Sequence, residues 1–166
     1  MSVGGAALAL ALSVTSPAQA AANRVCAKVY VQGSGWTAEK CADAGQSVQV
    51  GAPGGGRAVE AVEMAVAGST LCARGYRQSS GWGSEKCASS GTRVTLGSAG
   101  SGMRLEAVVF GVQKGTMCGN SYVQGTGWNP TWYCGVDGET NAIGTTGQNK
   151  RMEAVGFMIC RSTADC

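Results

Sequence analysis

Polar and apolar residues alternate along this chain in short segments that are separated by glycines. Residues 46–50 alternate between polar and apolar, which is typical of a strand with one buried face. Residues 58–66 are almost continuously apolar, which indicates a strand buried on both faces. No segment shows a sustained helical period, so the chain is predicted to be all-β. The predicted strands are residues 28–32, 46–50, 58–66, 74–78, 92–96, 104–112, 121–124, 139–143 and 151–159.

These segments recur three times at a nearly constant interval of 46 residues. The equivalent landmarks are Trp36, Trp82 and Trp128, followed by Glu60, Glu106 and Glu153. The third copy carries one extra residue between its tryptophan and Cys134. A fixed period of this size is typical of a repeat architecture, in which one unit cannot bury its own apolar face. We therefore predict a single domain at residues 23–166, with repeats at 25–68 (unit 1), 71–114 (unit 2) and 117–160 (unit 3) and a short C-terminal tail.

Three equal units of short strands predict pseudo-threefold symmetry about a shared core. The expected fold is β-prism-like, with one small antiparallel sheet per repeat on each side of a triangular core. The alternative is a β-trefoil, which is a six-stranded barrel capped by hairpins. The prism is favoured because the units look like plain meanders and because the last strand of each is apolar on both faces.

The N-terminus has the pattern of an export signal. An apolar run at residues 6–14 is followed by the small-x-small triplet Ala18-Gln19-Ala20. Residues 1–22 are therefore predicted to be a signal peptide, and the protein is expected to be secreted. The alternative is an N-terminal hydrophobic helix that remains part of the folded domain. The apolar run is too short to span a bilayer.

The eight cysteines follow the repeat, and none forms a C-x-x-C pair. Zinc-ribbon and thioredoxin-like sites therefore lose their main support. Disulfides formed in an oxidising compartment are the better interpretation. Equivalent units should close equivalent loops, which leaves the last two cysteines for each other. The predicted disulfides are Cys26–Cys41, Cys72–Cys87, Cys118–Cys134 and Cys160–Cys166.

Charge argues against two classes of partner. Thirteen basic and ten acidic residues give a formal charge of +3, and the basic residues are scattered. A nucleic-acid footprint would need a basic stripe, and the sequence shows no membrane-surface helix. We expect neither nucleic-acid binding nor membrane insertion.

Catalysis is not expected either. The chain has no histidine, which excludes Ser-His-Asp and Cys-His arrangements and the commonest metal ligand. A glycosidase needs two carboxylates beside one cleft, whereas threefold symmetry holds the repeat glutamates apart. The sequence predicts a protein that is not an enzyme, with no catalytic residue, no cofactor and no metal site.

The repeat glutamates are interpreted as structural. Strand alternation places Glu106 on one face with Val108 and Phe110, where a charge must be paired or hydrogen-bonded. The expected partner is the unit's indole N–H, its glutamine amide, or an arginine such as Arg104 or Arg151. Unit 1 has Ala58 at the position of these arginines.

The tryptophans allow two interpretations. An indole after a glycine turn, with a glutamine close by, suits stacking on a sugar ring, with amides fixing the hydroxyls. Equally, the indole can close the end of a sheet with its N–H bonded to the glutamate. Unit 3 adds Trp132 and Tyr133, an aromatic excess that is typical of ligand contact, although it can also cover the Cys118–Cys134 bridge. The candidate ligand-binding residues are Gln32, Trp36, Gln78, Trp82, Gln124, Trp128 and Trp132.

The repeat resembles the clostridial hydrophobic W (ChW) repeat. The closest copy is the third, with Tyr-Val-Gln-Gly-Thr-Gly-Trp at residues 122–128, Gly-Thr-Thr-Gly-Gln at 144–148 and Arg-Met-Glu-Ala-Val at 151–155. The resemblance covers about residues 25–159. It implies attachment to polysaccharide, cell wall or other proteins rather than catalysis. The paired cysteines are a departure from the family.

We therefore predict a secreted, non-enzymatic binding module of lectin-like type that recognises polysaccharide, cell-wall or cell-surface glycan. The alternative is a structural or adaptor subunit of a larger secreted assembly, such as a multi-subunit antibacterial toxin, whose partners would be other secreted proteins. The alternative rests on the small size of the module and on the absence of an accompanying enzyme domain from the sequence given.

Overall fold

The computed structural model describes residues 23–162 and residue 166. The regular secondary structure of these residues is entirely β-strand, which confirms the all-β prediction. The predicted signal peptide at residues 1–22 lies outside the described residues. In the described part of the chain, no helix is long and apolar enough to cross a membrane.

Each unit contributes five strands. Unit 1 forms β1 (Arg24–Val31), β2 (Gly35–Trp36), β3 (Lys40–Asp43), β4 (Ser47–Gly51) and β5 (Val59–Ala67). Unit 2 forms β6 (Leu71–Arg77), β7 (Gly81–Trp82), β8 (Lys86–Ala88), β9 (Arg93–Gly97) and β10 (Leu105–Val112). Unit 3 forms β11 (Thr116–Val123), β12 (Gly127–Trp128), β13 (Tyr133–Val136), β14 (Asn141–Gly144) and β15 (Met152–Ile159).

All the predicted strands are present, and the pattern of burial explains why they were detectable. In β1 the apolar residues at every second position face the core, and the residues between them are partly exposed. In β5, β10 and β15 nearly every side chain is buried, as their continuous apolar runs predict. The short strands β2, β3, β7, β8, β12 and β13 are not predicted, because two to four residues carry too little alternation to be recognised.

The strands form three five-stranded antiparallel sheets, and each sheet borrows one strand from the next unit. The sheet of β1, β2, β3 and β5 is completed by β9 of unit 2, which pairs with β5. The sheet of β6, β7, β8 and β10 is completed by β14 of unit 3. The sheet of unit 3 is completed by β4 of unit 1, which pairs with β15. The exchange therefore runs in a closed ring around a common core.

The core is apolar and shared by all three units. Phe110 and Phe157 are fully buried and meet edge to face, with ring centroids 5.4 Å apart. One sheet per unit around a shared core is the arrangement expected of a β-prism. The choice between β-prism and β-trefoil stays a prediction.

The four predicted disulfides are all present. Three of them join residues that lie directly opposite one another on antiparallel strands, in the pairs β1/β3, β6/β8 and β11/β13. The same bridge therefore holds the same hairpin in each unit. The fourth joins Cys160, just after β15, to Cys166.

Candidate functional site

Each repeat glutamate is the extra residue of a β-bulge. In unit 1, Tyr30 pairs with Ala61 and Val31 pairs with Val59, which leaves Glu60 without a partner across the sheet. The same register shift occurs at Glu106 and at Glu153. A bulge redirects a side chain and is common beside functional sites. The bulge also interrupts the strand alternation. That alternation was the basis for predicting that Glu106 and Val108 lie on the same face.

Each bulge faces the glycine-rich bend of the next unit, and we call the space between a bulge and that bend a glutamate cleft. The clearest, of about 200 Å³, is lined by Tyr76, Gln78 and Glu106 from unit 2 and by Gly147 and Asn149 from the bend of unit 3. In units 1 and 3 the tyrosine of the bulge faces the equivalent bend glycine. A Cβ placed on the equivalent bend glycines would lie 3.5 Å (Gly100) and 3.4 Å (Gly54) from the hydroxyl oxygens of Tyr30 and Tyr122.

The repeat glutamates are buried, with 2–3% of each residue exposed. Arg104 lies 3.0 Å from Glu106, and Arg151 lies 2.9 Å from Glu153. Of the three predicted kinds of partner, arginine is therefore the one found in units 2 and 3. In unit 1, where Ala58 replaces the arginine, Glu60 Oε2 has no hydrogen-bond partner among the described residues.

The repeat tryptophans lie at the sheet edges rather than in the core. Trp36 is 39% exposed, Trp82 is 38% exposed and Trp128 is half-buried. Each indole meets the tyrosine of its own unit edge to face, at centroid distances of 5.7, 5.3 and 5.9 Å. The predicted indole bond to a glutamate is not formed in the described residues.

Units 1 and 2 cover one face of the indole with a cation, whereas unit 3 does not. The charged groups of Lys28 and Arg74 lie 5.0 Å from the ring centroids of Trp36 and Trp82. The equivalent residue of unit 3 is Asn120, whose amide donates to the Asn129 carbonyl oxygen at 2.8 Å. Trp128 therefore has no cation in the position that shields the other two indoles.

Trp128 instead lines a cleft that unit 3 shares with unit 1. The cleft measures about 150 Å³ and is lined by Lys40, Gln49, Val50, Gly51, Pro53, Trp128 and Ala154. The strand exchange brings these residues together, since β4 of unit 1 pairs with β15. Lys40, Gln49 and Pro53 were not predicted, because no local signal indicates which unit β4 joins.

Trp132 lies beside this cleft and rests on Gly156. A Cβ placed on Gly156 would lie 3.0 Å from Trp132 Cη2 and 3.4 Å from Gln49 Cγ. Units 1 and 2 carry Glu63 and Val109 at this position, so only unit 3 has room for an indole there. We call Trp128, Trp132, Gln49, Lys40 and Pro53 the unit-3 aromatic site.

The glutamines are not grouped with the tryptophans as the sugar-platform interpretation expects. Gln78 lines the glutamate cleft of unit 2, and Gln32 and Gln124 are exposed at the ends of β1 and β11. The backbone N–H of each glutamine donates to the residue two positions before the repeat glutamate. Their ligand-binding role stays a prediction, and Gln49 is the amide that the structure places beside Trp128.

Three groups in the described residues bring three Cys or Glu side chains close enough for a shared metal ion. Every group contains cysteines that are already joined in disulfides, such as Cys26 and Cys41 beside Glu39. A disulfide sulfur is not the thiolate that binds metals. These groups therefore offer no complete ligand set.

Fold and site together define a disulfide-linked all-β repeat domain with one differentiated unit. The family model of the clostridial hydrophobic W (ChW) repeat matches residues 122–159, which is most of unit 3. This confirms the predicted resemblance, with one copy matched. Comparison with curated proteins and with solved structures gave no match.

Proposed function

We propose that this protein is a secreted, non-enzymatic module of lectin-like type that binds polysaccharide, cell-wall or cell-surface glycan through the unit-3 aromatic site. The ChW repeat is associated with carbohydrate-binding-like extracellular proteins, and four disulfides fit an oxidising extracellular environment. The observation that carries the proposal is the cleft between Trp128 and Gln49, with Trp132 at its side.

The chemistry of this site suits a sugar ring. An indole face stacks on the C–H face of a pyranose, while a few convergent polar groups fix its orientation. Here Gln49 and Lys40, which line the cleft, would supply those groups. The buried glutamates of units 2 and 3 are engaged by arginine, which supports a binding role rather than a hydrolytic one.

Replacing Trp128 with alanine should weaken glycan binding about tenfold or more, because truncation of a central aromatic contact typically costs more than about 1.4 kcal/mol. A glycan and cell-wall array identifies the ligand, and titration calorimetry then compares the variants. Trp82→Ala is the matched comparison, since it removes the same side chain beneath Arg74 and should cost much less. Equal losses in both variants would contradict the assignment to unit 3.

A second substitution tests Trp132 without removing an aromatic residue. Gly156→Val introduces the side chain that unit 2 carries at this position, and its Cβ would lie only 3.0 Å from Trp132. We expect Trp132 to be displaced and glycan affinity to fall several-fold, while near-ultraviolet circular dichroism reports the movement of the indole. Displacement of Trp132 with unchanged affinity would exclude it from the site.

A further inference from the structure

The three glutamate clefts have equivalent backbone hydrogen bonds, so their side chains can be compared position by position. The backbone N–H groups of the equivalent glutamines donate to the carbonyl oxygens of Ala58, Arg104 and Arg151 at 2.9, 3.0 and 3.0 Å. Ala58 therefore stands where the other units place the arginine that pairs with the repeat glutamate.

Glu60 keeps its burial although the arginine is missing. The residue is 2% exposed, and its Oε2 atom has no hydrogen-bond partner among the described residues. Arg57, one position before Ala58, does not replace the arginine, because its guanidinium donates to Ser34 Oγ. A buried carboxylate oxygen without a hydrogen-bond partner is costly, so this cleft favours an incoming cation.

Unit 1 also has open space beside the bend residue whose equivalents contact the guanidinium in the other units. Arg151 Nη2 lies 3.6 Å from a Cβ placed on Gly56 of the facing bend, and Arg104 Nη2 donates to Asn149 Oδ1 in the equivalent position. The corresponding bend residue opposite Glu60 is Gly102, where a Cβ would meet no atom within 4 Å. The side of the cleft next to Gly102 is therefore open.

We propose that the Glu60 cleft binds an arginine side chain of a partner polypeptide. By equivalence with the unit-2 cleft, its residues are Tyr30, Gln32, Ala58, Glu60, Gly100 and Gly102. Arginine is chosen because a guanidinium fills the two sister clefts, and its planar set of N–H donors matches a carboxylate. The proposal is independent of the glycan site, and it gives the adaptor alternative a definite point of contact.

The test uses Nα-acetyl-arginine methylamide as the probe and its neutral citrulline analogue as the control. Titration of the isotope-labelled mature protein should shift the backbone amide signals of Gly100 and Gly102 with the arginine probe. The citrulline analogue should shift them at least tenfold less at the same concentration. Glu60→Gln should lower the affinity for the arginine probe at least tenfold. Equal response to both probes, or an unchanged affinity of Glu60→Gln, would overturn the proposal.

Two further variants keep the test decisive if Glu60→Gln fails to fold. Ala58→Arg supplies the cation from within the chain, so it should stay folded and lose the response to the probe. Arg104→Ala opens the sister cleft, so it should add a second set of shifts, at Gly147 and Asn149. Retained binding in folded Ala58→Arg would place the probe elsewhere and overturn the assignment.

Three further measurements distinguish a partner's arginine from other cations that could enter the cleft. Glucosamine binding more tightly than the arginine probe would replace the polypeptide partner with an amino sugar and overturn the proposal. Binding that appears only in Arg57→Ala would show that the chain's own Arg57 closes the cleft, and this also overturns it. Trp128→Ala should leave the response to the arginine probe unchanged, which separates this result from the outcome for the glycan site.

Discussion

Gly97→Ala should destabilise the domain by more than about 3 kcal/mol, a loss found for a short list of mechanisms that includes backbone strain. A Cβ at this position would lie 2.1 Å from the Glu60 carbonyl oxygen, and the residue has φ = +79°. The carbonyl is not free to move, since it accepts the Ser98 N–H at 3.1 Å. Urea unfolding under non-reducing conditions, followed by circular dichroism, measures the loss.

The control separates the contact from the backbone conformation. Gly102→Ala has a similar φ of +72°, but its Cβ would meet nothing within 4 Å. It should therefore cost only about 1–2 kcal/mol, which is the penalty of a left-handed conformation for a residue with a Cβ. Equal losses at both positions would show that the contact with Glu60 contributes nothing.

The same contact recurs at the end of every exchanged strand. Cβ atoms on Gly51 and Gly144 would lie 2.5 and 2.2 Å from the carbonyl oxygens of Glu153 and Glu106. At each of these places a strand of one unit closes onto the bulge of another. Closure of the ring thus depends on a glycine at one position in each unit.

The repeat explains why the sequence is informative about the fold. Equivalent positions of Trp36, Trp82 and Trp128 define the units, and equivalent cysteines lead to the disulfide pairing that the structure has. Continuous apolar runs predict the central strands β5, β10 and β15, because burial on both faces demands such residues. These inferences need only local patterns and symmetry.

The sites depend on contacts between units, which local patterns do not encode. Pairing of β4 with β15 brings Gln49 to Trp128 across nearly half of the chain. The bulge at Glu60 is equally undetectable from the sequence. In a run of apolar residues, one extra residue does not change the visible pattern. Two signals are nevertheless present in the sequence. Gly156 replaces the bulkier residues of the other units, and Ala58 replaces their arginine.

Arg104→Ala should cost about 3 kcal/mol of unfolding free energy, because removing one partner of a buried ion pair leaves the other charge unpaired. The Glu106 side chain is only 4% exposed, and Arg104 approaches it at 3.0 Å. We expect the lower end of the usual range, since a fifth of the Arg104 side chain reaches solvent. Urea unfolding gives the free energy of unfolding and its dependence on urea concentration.

Two comparisons identify the cause of that loss. Arg24→Ala breaks the exposed pair with Asp43, whose side chains are 52% and 65% exposed, and should cost at most about 0.5 kcal/mol. Arg104→Ala combined with Glu106→Gln removes the buried charge and should recover part of the stability. If Arg104→Ala costs no more than Arg24→Ala, the fold tolerates an unpaired glutamate in this bulge. The unpaired state of Glu60 would then give no reason for a cation to enter its cleft.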